Sequence, residues 1–158
     1  MNEAIEQIVK QFKMHAHPEG GYFVETYRSD YQTEINSKSI ATVIYFLLPS
    51  SEKSSWHRIK NDEFWFFHGG SPITVHTIDS VGDYKATLIG TSLTNGELPQ
   101  FLVKGGTVFG ASVDTENSYS FVSCVVAPGF DFEDFELFSK DQMEQMFPHL
   151  KEEIKVLF

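Results

Sequence analysis

A histidine and a glutamate between Ser55 and Gly70 have the spacing with the clearest chemical meaning in this sequence. If the chain around His57 is extended, positions 57 and 59 share a face, and a short turn brings Glu63 back toward it on the next strand. Imidazole and carboxylate groups bind divalent metals such as Zn, Ni, Fe or Mn, which usually take three or four protein ligands. Position 59 is isoleucine, so this pattern provides two protein ligands, His57 and Glu63.

The same two residues could transfer protons instead. Glu63 precedes an aromatic run, residues 64–67, where burial of an unpaired carboxylate is costly and raises its pKa. A carboxyl group with a raised pKa can donate a proton near neutral pH. The plainer alternative for His57 is an exposed histidine after the polar stretch 50–55, and Glu63 at a matching spacing argues against it.

Five further side chains are candidates for the same pocket. Tyr45 could act as an acid, and Arg28 could hold a carboxylate or a phosphate. Gln100, Trp65 and Phe109 are candidate ligand-binding residues. If the strand register is wrong by one residue, any of these side chains points to the opposite face of its sheet.

Two other histidines could replace missing metal ligands, and two more have the spacing of a separate metal pair. His68 and His76 lie in predicted strands, although strict alternation places His68 on the face opposite Glu63. His15 and His17 have the spacing of a metal pair but precede a proline, where the chain need not be extended. A lone strand histidine is usually hydrogen-bonded, which is the alternative interpretation of His68 and His76.

Acidic residues alternate with phenylalanines between residues 130 and 135. We interpret Asp131, Glu133 and Asp134 as the outward face of an edge strand whose rings point inward. Cys124 lies among valines, which favours a buried, inert thiol over a nucleophile.

Composition limits the class of protein. The 158 residues suit a single domain over residues 1–158, and the net charge of −10 argues against nucleic-acid and anionic membrane partners. We find no run of about 18 apolar residues of the kind that spans a membrane. An acidic N-terminus and one cysteine predict a cytoplasmic protein.

The periodicity predicts an all-β fold with flanking helices. An amphipathic helix is expected at 2–14 and a C-terminal helix at about 139–153, capped by Ser139 and Gln142 and broken near Pro148. Asn95-Gly96 indicates a hairpin. The β-barrel should occupy about residues 22–138, with strands at 22–28, 40–48, 63–68, 73–78, 84–91, 101–103, 107–111 and 119–127.

The segment from His57 to Gly70 resembles the first signature of the cupin superfamily, His-x-His-x3-Glu-x6-Gly, with Ile59 in place of the second histidine. Residues 103–110 are similar to the second signature, with Phe109 in place of its last metal histidine. The resemblance implies a double-stranded β-helix, or jelly-roll barrel, in which two of four usual metal positions are hydrocarbon.

Several strings in order resemble more closely a small single-domain cupin subfamily of unknown function that is described as sugar-epimerase-like. They are found at residues 17–22, 44–48, 56–58, 62–65, 96–100 and 127–135. This resemblance implies a homodimer and no established activity.

These observations leave three functional hypotheses. In the first, a sugar or sugar-phosphate epimerase or isomerase, His57 removes a proton beside a carbonyl, Glu63 orients the imidazole or returns the proton, and Tyr45 is the acid. The second is a small-molecule binding or sensing protein without turnover. The third is a metal-dependent oxygenase or isomerase with a metal on His57, Glu63 and waters or His68.

Overall fold

The computed structural model describes residues 3–158, and it contains eleven strands and three α-helices. The helices are α1 Glu3–Phe12, α2 Lys140–Met146 and α3 Lys151–Ile154. The strands are β1 His15–Ala16, β2 Tyr22–Arg28, β3 Thr42–Pro49, β4 Ser54–Arg58, β5 Asp62–Gly70, β6 Ile73–Ile78, β7 Tyr84–Ile89, β8 Gln100–Val103, β9 Val108–Ser112, β10 Tyr119–Ala127 and β11 Glu136–Leu137.

The strands form two antiparallel sheets that face each other as a jelly roll. Sheet 1 has the order β1-β2-β3-β10-β5-β8, and sheet 2 has the order β11-β4-β9-β6-β7. Consecutive strands β4 and β5 belong to different sheets, so the turn at residues 59–61 crosses from one sheet to the other. His57 therefore lies on sheet 2 and Glu63 on sheet 1, both toward the interior between the sheets.

The core lies between the inward faces of the two sheets. Its largest fully buried side chains include Phe46 and Trp65 from sheet 1 and Phe109 from sheet 2. A second cluster lies where the C-terminal helices pack on sheet 2, and there the Trp56 indole N–H donates to the carbonyl oxygen of Ile154 at 2.9 Å. These helices therefore cover the outer face of sheet 2.

Helix α1 covers the outer face of sheet 1. The ring of Phe12 packs against Tyr45 and Phe121, and Ile5 is buried in the same cluster. Tyr45 therefore points away from the interior of the barrel.

Three local predictions have clear outcomes. The prediction of a hairpin at Asn95-Gly96 is wrong. Residues 93–95 form a 3₁₀ turn between β7 and β8, and these two strands belong to different sheets. The prediction of an edge strand at residues 130–135 is also wrong, since Phe132–Asp134 form a 3₁₀ helix. The Ser139–Gln142 capping box is present, and the C-terminal helix breaks after Met146, before Pro148. The predicted helix start at residue 2 lies outside the described residues.

Within residues 3–158, no helix combines the length and apolar character needed to cross a bilayer.

Candidate functional site

A cavity of about 330 Å³ opens between the two sheets. Its volume lies within the range of small-molecule sites. Its wall is largely aromatic and aliphatic, and eight titratable side chains also line it. The phenylalanine and tryptophan side chains that line it are Phe23, Phe46, Trp65, Phe130, Phe132 and Phe135. The titratable side chains that line it are His17, Glu19, Glu25, Arg28, His57, Glu63, Cys124 and Asp131.

His57 is held in one orientation and one tautomer. Its Nδ1 lies 2.7 Å from the carbonyl oxygen of Ser55, which can only accept, so Nδ1 carries a proton. Its ring packs on Phe109, with centroids 4.1 Å apart. Burial lowers the pKa of His57 to about 4, so the imidazole is neutral at neutral pH and Nε2 is an acceptor.

Glu19 faces that acceptor. Its Oε2 lies 3.0 Å from His57 Nε2, and its Oε1 accepts a hydrogen bond from Ser54 Oγ at 2.8 Å. The carboxyl group is buried, and burial raises the pKa of Glu19. A neutral His57 and a contact of 3.0 Å require a proton between the two atoms. Glu19 and His57 therefore share one proton, which Glu19 donates to Nε2.

Glu63 supplies a second carboxyl group to the same cavity. It is 8 % exposed and forms a hydrogen bond with Cys124 on the neighbouring strand β10. Burial, followed by the nearby Glu19 carboxyl, raises the pKa of Glu63 to about 8. Glu63 is therefore protonated at neutral pH and can donate a hydrogen bond or a proton.

His17 is a further polar side chain that lines the cavity. Its Nδ1 accepts a hydrogen bond from the backbone N–H of Glu19 at 3.3 Å, so Nε2 carries the proton in the neutral ring. Burial lowers the pKa of His17, and its ring packs edge-on against Phe23. His17 thus helps to fix the turn that presents Glu19.

That turn depends on Gly20, whose φ is +113°. Its N–H donates to the carbonyl oxygen of His17, and the backbone N–H of Ser55 donates to the carbonyl oxygen of Glu19, which joins the turn to β4. A Cβ on Gly20 would lie 2.0 Å from the carbonyl oxygen of Lys53. Only glycine fits this close approach.

We expect Gly20→Ala to lower the free energy of unfolding by about 3 kcal/mol, from backbone strain and overlap together. Gly96→Ala is the matched control, since Gly96 also has a positive φ but open space around its Cβ direction, and should cost about 1 kcal/mol. Denaturant unfolding of both variants measures the difference. Equal losses would show that the contact with Lys53 does not constrain the turn.

The mouth of the cavity is polar. Arg28 donates from Nε and Nη2 to the two carboxylate oxygens of Glu25, at 2.9 and 2.8 Å, and from Nη2 to the carbonyl oxygen of Phe130 at 3.0 Å. Asp131 lies beside it and contributes to a raised pKa of Arg28, for which the Glu25 hydrogen bond is the main cause. The guanidinium charge is thus already matched by carboxylates.

One wall of the cavity is the phenylalanine segment, residues 128–135. Asp134 anchors it: its Oδ2 accepts from Lys38 Nζ at 2.5 Å, and its Oδ1 lies 3.0 Å from Lys60 Nζ. Both lysines lower the pKa of Asp134, Lys38 more strongly. The two lysines come from different loops, so this contact joins three separate parts of the chain at the cavity wall.

The structure brings some of the predicted site residues together and separates others. His57, Glu63, Arg28 and Trp65 line the cavity, and Phe109 lies directly behind His57.

Other candidates lie elsewhere. Tyr45 is on the outer face of sheet 1 beside His68, which is hydrogen-bonded to Ser123. Gln100 is exposed on β8, and His76 is buried in sheet 2 between Tyr84 and Ser112.

Glu19 is the residue that sequence reasoning missed, and His17 was considered only as a metal ligand. The available signal was the string at 17–22, in which an acidic residue precedes two glycines. Two glycines in succession favour a tight turn, and a charged side chain fixed by such a turn can be directed inward.

The cavity residues do not fit a metal ion of the usual kind. Across residues 3–158 there is no group of three or more His, Cys, Asp or Glu side chains arranged to hold one. Ile59 lines the cavity and Phe109 is fully buried at the positions where the two signatures have histidines. His57 has its two ring nitrogens committed to Ser55 and Glu19.

Comparisons with known proteins agree with this architecture. The family model described as Cupin superfamily (DUF985) matches residues 6–138. Uncharacterized protein YML079W of Saccharomyces cerevisiae is 33% identical in an alignment 150 residues long, which covers 83% of this chain and 73% of that protein.

Two solved structures are similar over almost their whole length. Protein SO0799 from Shewanella oneidensis is 37% identical, with a TM-score of 0.91 and coverage of 99% of this chain and 97% of that chain. A hypothetical protein from Leishmania major is 36% identical, with a TM-score of 0.90 and coverage of 96% of each chain. The chain therefore belongs to the cupin superfamily, and its two facing sheets form the jelly-roll barrel of that fold.

Proposed function

We propose that the protein is a proton-transfer enzyme, an epimerase or isomerase that acts beside the carbonyl group of a small polar metabolite such as a sugar or sugar phosphate. The observation that carries this proposal is a pair of proton-carrying sites within one cavity: the Glu19–His57 pair and the protonated Glu63. Groups with different proton affinities in one water-poor site are what acid–base chemistry requires. The likeness to sugar-epimerase-like proteins suggested this class from the sequence.

The proposed reaction begins at the Glu19–His57 pair. Glu19 takes the proton from the carbon beside the carbonyl, while the proton that it shared passes to His57 Nε2. The electrons of the C–H bond form an enolate, whose negative charge is balanced by the new imidazolium. Ser55 holds the imidazole through Nδ1, as the orienting group does in other base relays.

Glu63 is the proposed acid. It returns a proton to the enolate carbon, with inversion in an epimerase, or to the neighbouring carbon after tautomerisation in an isomerase. Its proton is available at neutral pH because burial raises its pKa to about 8. The role given to Tyr45 in the sequence hypothesis passes to Glu63, since Tyr45 contacts Phe12 on the other side of the sheet. No metal takes part in this scheme.

The second candidate function is ligand binding without turnover. The observation that favours it is hydrocarbon at Ile59 and Phe109, the two positions where the signatures have metal ligands. An aromatic and aliphatic cavity of this size can bind a metabolite without any reaction.

Deuterium incorporation tests the proposal. A panel of sugars and sugar phosphates is incubated with the protein in D₂O, and NMR follows exchange at the carbon beside the carbonyl. Exchange should fall at least 100-fold in His57→Gln, because Glu19 can act as the general base only if His57 takes the proton that Glu19 carries. Tyr45→Phe, which changes a side chain outside the cavity, should retain the wild-type rate.

The two candidate functions give different results in this assay. Binding of a panel member without exchange would support the binding protein, whereas equal exchange in wild type and His57→Gln would remove His57 from the mechanism.

From the family resemblance we also propose a homodimer in the cytoplasm, to be tested by light scattering and by fractionation.

A further inference from the structure

The charge around the cavity defines the class of ligand more narrowly than the proposed function does. Among the cavity-lining residues that the structure describes, Arg28 is the one lysine or arginine. Its Nε and one Nη2 proton are committed to Glu25, and Nη2 also donates to Phe130. A phosphate would have to displace Glu25 or bind the remaining Nη1 group beside that carboxylate.

A further carboxylate increases the negative charge at the mouth. Asp131 lines the cavity, and its nearest cation, Lys38, lies 3.8 Å away and is already bound to Asp134. Deeper in the cavity, the Glu19–His57 pair shares one proton and is neutral overall. The lining therefore offers no unmatched positive charge to a dianion, and burial of an unpaired phosphate beside carboxylates is costly.

The same lining suits hydroxyl and carbonyl groups. Glu25 and Asp131 can accept hydrogen bonds from hydroxyl groups at the mouth, and the Glu63 carboxyl can donate one inside. Trp65 also lines the cavity, and its buried Nε1–H has no hydrogen-bond partner within residues 3–158. An unpartnered buried donor costs about 1–3 kcal/mol, which a ligand oxygen within its reach would offset.

The phenylalanine segment adds aromatic faces beside these polar groups. Phe130 and Phe132 pack edge-to-face, with centroids 4.9 Å apart, and Phe135 contacts both rings. Aromatic faces bind the C–H surface of a polyol, while neighbouring carboxylates bind its hydroxyls.

We infer that the cavity takes an uncharged, hydroxyl-bearing carbonyl compound of the size of an unphosphorylated sugar, and that Glu25 and Asp131 exclude its phosphorylated form. This inference rests on the proposed function for the carbonyl group and on the charge at the mouth for the exclusion of phosphate.

The test uses matched pairs of probes: D-glucose, D-mannose, D-fructose and D-ribose, each with its terminal monophosphate. Saturation-transfer NMR and indole fluorescence measure binding to the full chain. At least one free sugar should bind, and its phosphate should bind at least tenfold more weakly. Glu25→Gln frees Arg28 and should improve phosphate binding about tenfold, whereas Glu133→Gln makes the same charge change outside the cavity and should not.

Three outcomes would overturn the inference: phosphates that bind as well as the free sugars, no binding by any free sugar, or equal effects of Glu25→Gln and Glu133→Gln. Deuterium exchange on the same pairs separates this failure from failure of the proposed function. Exchange on a sugar phosphate alone would retain the enzyme and reject the ligand class. Binding of a free sugar without exchange would retain the ligand class and reject the proposed enzyme.

Discussion

Glu63→Gln is expected to stabilise the protein at pH 7 and above while it reduces proton exchange at least 100-fold. The glutamate is buried in an apolar strand, and its pKa is raised from 4.5 to about 8, mainly by burial. Keeping it protonated at pH 7, where the unfolded chain would release the proton, costs roughly 3 kcal/mol of stability. Glutamine has nearly the same shape, carries no charge and cannot donate a proton to the substrate.

The direction of the pH effect follows from the two pKa values. Glu63 binds its proton more tightly in the folded state, so its contribution to stability is fully present below about pH 4.5 and is lost as the pH rises to about 8. His57 has the opposite effect, because folding lowers its pKa from 6.5 to about 4. Its contribution to stability is therefore fully present above pH 6.5 and is lost as the pH falls toward 4. The two effects oppose each other between about pH 4.5 and 6.5.

Denaturant unfolding between pH 4 and 9 measures these contributions. From these two groups, the wild-type stability should change little between pH 4.5 and 6.5 and fall between 6.5 and 8. In Glu63→Gln the fall above pH 6.5 should disappear, and a rise between pH 4 and 6.5, caused by His57, should become visible. His57→Gln is the reciprocal variant and should lose stability steadily from pH 4.5 to 8.

Catalysis should follow the same titration. Exchange by the wild type should decline above about pH 8, as Glu63 loses the proton that it donates. A Glu63→Gln variant that is no more stable than wild type at pH 8, or that keeps exchange, would contradict both the raised pKa and the role of Glu63.

The barrel could be predicted from the sequence because its signals are local. Alternating runs separated by turn residues predicted the bounds of β2, β6 and β10, and the His57–Glu63 spacing identified two residues that both line the cavity. The orientation of Tyr45 could not be predicted in the same way. Strand β3 is apolar on both faces, because α1 covers the outer one, so alternation carries no information there.

The position of Glu19 depends on contacts between distant residues. Its carboxyl group reaches His57 because the Gly20 turn packs on Lys53 and Ser54 donates to Glu19, a separation of 35 residues along the chain. No periodicity in residues 17–22 indicates that contact.

The anchor of the phenylalanine segment should control access to the cavity, and Cys124 provides the probe. Cys124 is the one cysteine of the chain, lines the cavity and is almost fully buried. Burial raises the pKa of its thiol, so its reaction with methyl methanethiosulfonate should be slow in the wild type. Asp134→Asn weakens the contacts with Lys38 and Lys60, and should increase the labelling rate at least tenfold by allowing residues 128–135 to move outward.

A general loss of stability would also expose Cys124, so the comparison needs a variant that loses an ion pair elsewhere. Glu136→Gln removes the pair between Arg58 and Glu136 on β11, 2.7 Å long and largely exposed, next to the segment but outside the cavity lining. Labelling and unfolding are measured on both variants at the same pH and salt. If Asp134→Asn labels no faster than Glu136→Gln once their stabilities are taken into account, the Lys38–Asp134–Lys60 contact does not control entry. A faster rate in Asp134→Asn alone, increasing further with the salt that screens the remaining charges, would make this contact the point at which ligand access is set.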